Sequence, residues 1–269
     1  MRLRVHHETN YSYDSPVVAT YQMLRLTPRA HDGQRVISWR VQTTHGHDLP
    51  SFIDGFGNIV HCHALNRRHK EAKILAIGEV ETFAGDGIVR GAAEPMPPLF
   101  FLRNTALTMP DRAVETFARE VAGQLPPLAA LHALMGTIRA RIAYRTGVTD
   151  AATTAAEVLE KGCGVCQDHS HLFIAAARVL GIPARYVGGY FWPAADAEPY
   201  NAAHAWAEAF IDDLGWVSFD STNGVCPTES HIRASVGLDY LGAAPVRGVR
   251  LGGASETLSV TVMVASIDQ

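Results

Sequence analysis

The chain has 269 residues, of which 47% are hydrophobic and 19% charged, and its formal net charge is −4 at pH 7. These values are typical of a globular protein with one large core or two smaller ones, and they exclude a disordered chain. The acidic balance provides no basic surface for nucleic acid, and no stretch is long and uncharged enough to cross a bilayer. We therefore expect neither nucleic acid nor a membrane as a partner.

The N-terminus and the cysteine content indicate the compartment. The first residues, MRLRVHHETNYSY, alternate charged and apolar side chains, whereas a signal peptide needs a continuous apolar segment. The chain contains four cysteines, too few for a disulfide scaffold at this length. We expect a cytoplasmic protein whose cysteines are thiols, metal ligands or catalysts.

Residues 1 to about 90 carry the signals of β-strands. Side chains alternate along residues 3–11 and 37–41 as they do on the two faces of a strand. SFIDGFGNIVHCHAL predicts two strands joined by a glycine-rich hairpin, and KILAIGEVETF predicts one more. We interpret residues 1–95 as an antiparallel β domain, with a sandwich as the expected arrangement.

The stretch AAEPMPPLF marks the end of this domain. Its prolines, Pro95, Pro97 and Pro98, can continue neither a helix nor a central strand. We place the boundary here, so that residues 96–269 form the second domain.

Helical periodicity begins after this linker. PDRAVETFAREVAG and LAALHALMGTIRARIAY carry apolar residues at helical spacing, and Thr153 or Thr154 caps a third helix, AAEVLE. The segment from Leu172 to Leu180 has one polar residue and predicts a helix buried on all sides, which ends at Gly181.

Strand signals follow the buried helix. The predicted strands of this part are ARYVGGYF, AHAWAEAFI, GWVSFDS and TLSVTVMVAS. A helical layer followed by an antiparallel sheet places the chain in the α+β class.

The segment GVCQDHSH puts Cys166 at the start of the buried helix. Unpaired backbone N–H groups and the positive end of the helix dipole favour the thiolate form of a cysteine at such a position. This predicts a nucleophile. A nucleophile also needs a general base, and the base needs an orienting partner.

Two downstream strands provide candidates for both roles. His204 lies in AHAWAEAFI, and Asp220 ends the next strand. A three-residue turn centred on Asp212 would set His204 opposite Asp220, with Cβ atoms about 5 Å apart. Cysteine, histidine and aspartate in this order are expected of a thiol acyl-transfer enzyme.

The hairpin register decides whether these two side chains can meet. They share a face only if directly paired residue numbers have an even sum, as when residue 204 or 206 lies opposite Asp220. A two-residue turn at Asp212 and Asp213 would instead pair His204 with Ser221 and turn Asp220 away. We predict the even register, with one ring nitrogen of His204 bonded to Asp220 and the other facing Cys166.

These motifs resemble those of a known family. GVCQDHSHLFIAAARVLGIPARYVGGY, followed by AHAWAEAFIDDLGWVSFDSTNG, is similar to the core of the transglutaminase-like superfamily, in particular its bacterial branch of cysteine proteases with a β-rich N-terminal region. The resemblance implies a papain-like core in which Cys166 is the nucleophile, His204 the general base and acid, and Asp220 the residue that orients His204. Crosslinking transglutaminases carry tryptophan directly after the cysteine, whereas this chain has Gln167.

Other interpretations of the cysteines stay open. Cys163 and Cys166 have C-x-x-C spacing, which also suits zinc or redox chemistry, but a closed zinc site needs four ligands. His169 and His171, or the distant segment His61–His63, would have to supply the rest. We instead expect no metal and no cofactor. His169 and His171 could line the cleft, but we expect them at a solvated helix end.

The expected activity is cysteine-dependent hydrolysis of an amide, with transfer to an amine as the variant reaction. A peptide, an isopeptide or another amide would be the substrate. The alternatives are a protein-glutamine transglutaminase and a non-catalytic peptide-binding module on the same fold.

Overall fold

The computed structural model describes residues 1–44, 46, 49–193 and 203–267. The strands are β1 (Arg2–Thr27), β2 (Gln34–Thr43), β3 (Ser51–Ile53), β4 (Ile59–Leu65), β5 (His69–Thr82), β6 (Ile88–Val89), β7 (Ala143–Tyr144), β8 (Cys163–Gly164), β9 (Ala184–Phe191), β10 (Ala203–Ile211), β11 (Gly215–Phe219), β12 (His231–Gly237), β13 (Val246–Gly252) and β14 (Glu256–Ser266). The α-helices are α1 (Arg112–Ala122), α2 (Pro127–Arg141), α3 (Ala155–Lys161), α4 (Cys166–Val179) and α5 (Tyr240–Ala243). Two short 3-10 helices, Pro98–Leu102 and Ala106–Thr108, precede α1.

The N-terminal strands form an antiparallel sheet that folds over on itself. Its strand order is β2-β5-β1-β4-β3. Residues 2–12 of β1 pair with β5, and residues 20–27 pair with β4. Leu24, in the second half of β1, lies in the same buried cluster as Ile74 and Ala76 of β5. The two halves of β1 therefore belong to two packed layers, as in the predicted sandwich.

The long strand β1 is irregular around Pro16. Its pairing with β5 is interrupted between Ser12 and Val17. Proline has no amide hydrogen to donate to a neighbouring strand, so the ladder breaks there. The carboxylate of Asp14 accepts the backbone N–H of Ser255 at 3.0 Å, which ties this irregular segment to the start of β14.

The second sheet has the strand order β12-β9-β10-β11-β6 and is covered by the helices. The predicted buried helix is α4, and its segment from Leu172 to Ala177 has no exposed surface. Thr154 is the residue that caps α3, since its hydroxyl accepts the backbone N–H of Glu157. The α+β class predicted from the sequence is confirmed.

The C-terminal strand is the main departure from the predicted organisation. TLSVTVMVAS forms a strand, β14, but this strand pairs with β1 along residues 3–13 and so extends the N-terminal sheet. Conversely, β6 lies before the predicted boundary and pairs with β11 of the second sheet. A division at residue 95 therefore does not separate the two sheets. Alternation predicts that a strand exists, but it carries no information about a partner some 250 residues away.

Two side-chain amides of the N-terminal sheet hold the edge of the second sheet. Gln34 donates to the backbone carbonyl of Arg233 at 2.9 Å and accepts its N–H at 2.8 Å. Asn58 makes the same pair of bonds with Val236, at 2.8 and 2.7 Å. An exposed edge strand would leave these groups free for another chain, so the amides both satisfy β12 and fix the two sheets against each other.

Within the described residues, no single helix has the length and apolar character needed to cross a membrane. Helices α1 and α2 meet those criteria only when taken together, and they are bent by 118°.

Candidate active site

The first residue of α4 is Cys166, as the sequence predicts. Asp168 fixes this helix start, because its carboxylate accepts the N–H of Val165 and the hydroxyl of Thr149, both at 2.7 Å. A Cβ atom at Gly164 would lie 2.6 Å from that carboxylate, so only glycine fits beside it. The motif GVCQD thus combines a required glycine with a carboxylate that holds the helix end.

In α4 the first backbone N–H that bonds back to the carbonyl of Val165 is that of Asp168. The N–H groups of Cys166 and Gln167 come before it in the chain. Such amides point out of the helix start and carry partial positive charge. They can therefore stabilise negative charge on the sulfur or on a nearby oxygen.

The hairpin between β10 and β11 has the predicted even register. Ala207 pairs with Phe219, and Ile211 pairs with Gly215. The turn is thus three residues long but centred on Asp213, one position later than expected. Gly215 has a φ of +83°, a conformation that only glycine adopts readily, so this glycine and not Asp212 sets the turn.

His204 and Asp220 share one face of this hairpin and lie diagonally across it. The Nε2 of His204 donates to Oδ2 of Asp220 at 2.7 Å. Cys166 and His204 line the same cavity, and Cys166 is one of the groups that raise the pKa of the His204 ring, whose Nδ1 is not engaged by Asp220. The structure therefore brings the three predicted residues together, and Cys163 lies on the separate strand β8.

The partners of His204 stabilise its protonated form. Burial by itself would lower the pKa of His204, but the hydrogen bonds and charges of Asp220 and Cys166 raise it to about 10. Burial would likewise raise the pKa of Asp220, and the two histidines bonded to it, His204 and His231, hold that pKa well below its usual value. An anionic carboxylate beside a cationic imidazole is the arrangement that results.

Asp220 has further partners that the sequence analysis did not identify. Its Oδ1 accepts the backbone N–H groups of Thr222 and Asn223 at 3.0 and 3.1 Å. The side-chain amide of Asn223 donates to Oδ2 at 2.6 Å. An aspartate followed by Ser-Thr-Asn-Gly is a turn signal, and it could have indicated these local bonds.

The partner of Asp220 that is most distant in sequence is His231, at the start of β12. Its Nδ1 accepts the backbone N–H of Thr228 at 3.2 Å, so the ring proton is on Nε2. That Nε2 donates to Oδ2 of Asp220 at 3.1 Å. Burial lowers the pKa of His231 despite the nearby carboxylate, which favours a neutral ring. No local pattern distinguishes this histidine from others in the sequence.

The expectation that His169 and His171 lie at a solvated helix end is wrong. They are 2% and 0% exposed. His169 is hydrogen-bonded to the hydroxyl of Thr222 at 3.1 Å, and Nε2 of His171 accepts the N–H of Tyr240 at 3.0 Å. Burial lowers the pKa of each to about 4. Both are therefore neutral residues packed behind the site.

Among the described residues, the histidine, cysteine and acidic groups close enough to share a metal ion are His204, Asp220 and His231. Their nitrogen–oxygen distances of 2.7 and 3.1 Å are those of hydrogen bonds, and Asn223 also donates to the shared oxygen. A zinc ion would need to lie about 2.0–2.2 Å from each ligand atom. Hydrogen bonding accounts for this cluster, and within the described ranges Cys163 belongs to no such group.

A cavity of about 390 Å³ opens beside Cys166 and His204. One side is formed by α4 and the second sheet, and the other by β1 and β14 of the N-terminal sheet. The site is therefore built by both sheets.

Comparison with known proteins gives the same assignment for both parts of the chain. Residues 115–221 match the model of the transglutaminase-like superfamily, and residues 3–81 match that of the bacterial transglutaminase-like N-terminal region. The chain is 32% identical to the uncharacterised protein ML0607 of Mycobacterium leprae, over 99% of each chain. The chain belongs to the transglutaminase-like superfamily.

Other members and a solved structure extend this comparison. The uncharacterised protein Rv2569c of Mycobacterium tuberculosis is 29% identical over 92% of this chain and 87% of its own. The crystal structure of a candidate cysteine protease from Cytophaga hutchinsonii superposes with a TM-score of 0.79 at 23% identity and covers 100% of this chain and 91% of that one. This transglutaminase-like fold therefore includes the N-terminal sheet. The superfamily match contains Cys166, His204 and Asp220, whereas His231 lies beyond its end.

Proposed function

We propose that this protein is a cysteine-dependent amide hydrolase that uses Cys166 as nucleophile, His204 as general base and acid, and Asp220 as the group that orients His204. The observation that carries the proposal is the His204 ring, which donates to Asp220 and lines the same cavity as Cys166, the first residue of α4. A nucleophile beside a base that is held by an orienting group is the arrangement of an activated thiol.

The reaction follows from this geometry. The Cys166 thiolate attacks the amide carbonyl carbon, and the carbonyl electron pair moves to the oxygen, which the N–H of Cys166 can stabilise. The C–N bond then breaks as His204 gives its proton to the leaving amine, and a thioester remains on Cys166. Water attacks the thioester while His204 takes its proton, and the acid is released with the thiolate restored.

Asp220 serves both steps without changing its own charge. Its bond to Nε2 holds the ring so that Nδ1 faces the sulfur, and its negative charge stabilises the imidazolium. The raised pKa of His204, about 10, supports a resting state with a protonated ring that is ready to donate to the leaving amine.

Water is the proposed acceptor of the acyl group. A transferase needs a second site that orders an amine, whereas water needs none. Gln167 replaces the tryptophan that follows the cysteine in crosslinking transglutaminases, and this difference also favours hydrolysis. A peptide, isopeptide or other amide would be the substrate.

Alkylation and intact-mass measurements test this proposal. Between pH 5 and 8, iodoacetamide should modify Cys166 faster than Cys62 and Cys163, and His204→Ala should remove the difference. The three thiols are all partly exposed, so Cys62 and Cys163 are internal controls. A reactive acyl ester should then add one acyl group to Cys166 and, with a primary amine present, release mostly free acid. Equal alkylation of the three cysteines would overturn the assignment, and mainly amide product would favour a transferase.

A further inference from the structure

The N-terminal sheet supplies one wall of the cavity beside Cys166. On this wall β1 and β14 run side by side, and Thr9 pairs with Val260 while Tyr11 pairs with Leu258. All four side chains line the cavity. A substrate bound to Cys166 would therefore touch residues far from the superfamily core in sequence, on strands from the two ends of the chain.

The cavity has little free charge for a substrate to meet. Burial lowers the pKa of His7 to about 4, so its ring is neutral, and it is hydrogen-bonded to Tyr190 at 3.1 Å. Arg25 is the cation on this wall, and its Nε donates to Asp54 at 3.1 Å, which balances its charge, although its buried Nη1 has no hydrogen-bond partner. Apart from Cys166 and His204, the ionisable groups that line the cavity are therefore neutral or already paired.

The rest of this wall carries no ionised group: Leu26, Val246, Leu258 and Val260 are aliphatic, and Thr9 and Tyr11 are neutral. A charged group that enters such a space loses its water shell without gaining a partner, whereas an apolar group gains from leaving water. A cavity of about 390 Å³ is within the size range of small-molecule pockets.

We propose that this cavity selects an uncharged, largely apolar group next to the scissile amide, and that β1 and β14 provide the selectivity. The inference rests on the proposed function for the reaction itself. It gives the N-terminal sheet a direct role in substrate choice, in addition to its structural contacts with β12.

Alkylating probes test the selectivity without a known substrate. Three N-substituted iodoacetamides carry the same reactive carbon and differ in the attached group: a phenylethyl, a carboxyethyl or an aminoethyl chain. For each probe, the rate of Cys166 alkylation is divided by the rate with plain iodoacetamide on the same protein. The same ratio is measured on free cysteine, and dividing by it removes the intrinsic reactivity of the probe. The phenylethyl probe should be favoured about tenfold or more over both charged probes.

A substitution on the N-terminal wall should change this preference in a charge-dependent way. Val260→Asp places a carboxylate in the cavity and should raise the relative rate of the aminoethyl probe above that of the phenylethyl probe. Ser259→Asp is the matched control, because neighbouring residues of a strand point to opposite faces and Ser259 does not line the cavity. It should leave the order of the probes unchanged. Leu258→Lys, which should favour the carboxyethyl probe, provides a second test if Val260→Asp does not fold.

The outcomes separate this inference from the proposed function. The proposed apolar selectivity would be overturned if the three probes had equal relative rates, or if Val260→Asp changed all three rates by the same factor. Cys166 would still be a reactive thiol in either case. A preference of the unmodified protein for the carboxyethyl probe would also overturn it, and would indicate that Arg25 binds a carboxylate. Plain iodoacetamide that reacts no faster with Cys166 than with Cys163 would instead contradict the proposed function.

Discussion

Two buried carboxylates lie in and beside the same hairpin, and their partners differ. Glu208 on β10 and Asp220 after β11 both have fully buried side chains. Glu208 is held by Arg185 and Arg233, whereas Asp220 is held by His204 and His231. Arginine stays charged at any physiological pH, and histidine does not. Similar burial of negative charge is thus balanced by permanent cations in one place and by groups that can gain or lose a proton in the other.

The Glu208 cluster is held together by ion pairs. Arg185 donates to Glu208 at 2.7 Å, also contacts Glu94, and lies 3.7 Å from the centre of the Trp216 ring. Burial alone would raise the pKa of Glu208, but Arg233 and Arg185 lower it to about 2. None of these groups lines the cavity beside Cys166. The cluster therefore joins β9, β10, β12 and the linker before α1.

The Asp220 cluster has one accessible end. His204 lines the cavity together with Cys166, whereas the other donors to Asp220, His231, Thr222 and Asn223, do not line it. A proton that the proposed reaction moves would therefore pass through His204. The comparison teaches that the type of cation beside a buried carboxylate separates a structural role from a chemical one.

The largest expected effect concerns Asp220. Asp220→Asn keeps the shape of the side chain but removes the charge that stabilises protonated His204, so the acylation rate of Cys166 should fall by about 10³-fold or more. The rate of acyl-adduct formation by intact mass measures this loss. If the acylation rate of Asp220→Asn stays within a few-fold of that of the unmodified protein, Asp220 has no special role in the chemistry and does not differ from Glu208 in this respect.

Glu208→Gln should mainly lower the stability of the fold and have a smaller effect on the acylation rate. It leaves two buried arginines with less than their full counter-charge, and the free energy of unfolding should fall by about 3–5 kcal/mol. The acylation rate per folded molecule should change far less than in Asp220→Asn. Urea denaturation measures the stability. A stable Glu208→Gln protein with a lost acylation rate would place Glu208 in the chemistry.

His231 should act as a positioning residue for Asp220. His231→Phe removes one donor to the carboxylate and should lower the acylation rate about 10- to 100-fold. His231→Gln can still donate from its side-chain amide and should recover most of this loss. If Phe and Gln reduce the rate equally, the hydrogen bond to Asp220 is not what matters at this position.

The smallest effect is a difference in pH dependence. The pKa of His204 rises from 6.5 in the unfolded chain to about 10 in the folded protein, so its contribution to stability is fully present below pH 6.5 and is lost as pH rises towards 10. The slope is at most about 1.4 kcal/mol per pH unit. Denaturation at pH 6.5 to 10 should show this slope in Glu208→Gln and lack it in His204→Asn. The same slope in both variants would assign it to another group.

The local sequence predicted much of the site. A cysteine before an apolar helix, a histidine on the next hairpin and an aspartate at its end are all signals within about 55 residues of chain, and the structure brings these three together. The even register was also predictable, because side chains alternate along a strand. The turn is centred one residue later than predicted, because Gly215 adopts the left-handed conformation directly after it.

Long-range partners could not be predicted in the same way. His231 meets Asp220 only because β12 is the neighbour of β9, and nothing in its own segment indicates that pairing. His169 appeared in the sequence as a polar residue in the first turns of a helix, and its burial depends on what packs over that turn. Hydrophobic pattern reports which face of an element is buried, and it does not report against what.

The amino-acid sequence by itself determined the α+β class, the main helices, most strands and the identity of the reactive candidates, because these depend on local periodicity, capping residues and the chemistry of single side chains. It did not indicate β12 or β13. Only the tertiary structure decided that β14 returns to β1, that both sheets enclose the cavity, and that one carboxylate has arginine partners and the other histidine. These features join residues as far apart in the chain as Leu3 and Ser266. Such contacts form when whole faces pack together, so no single segment contains the information that specifies them.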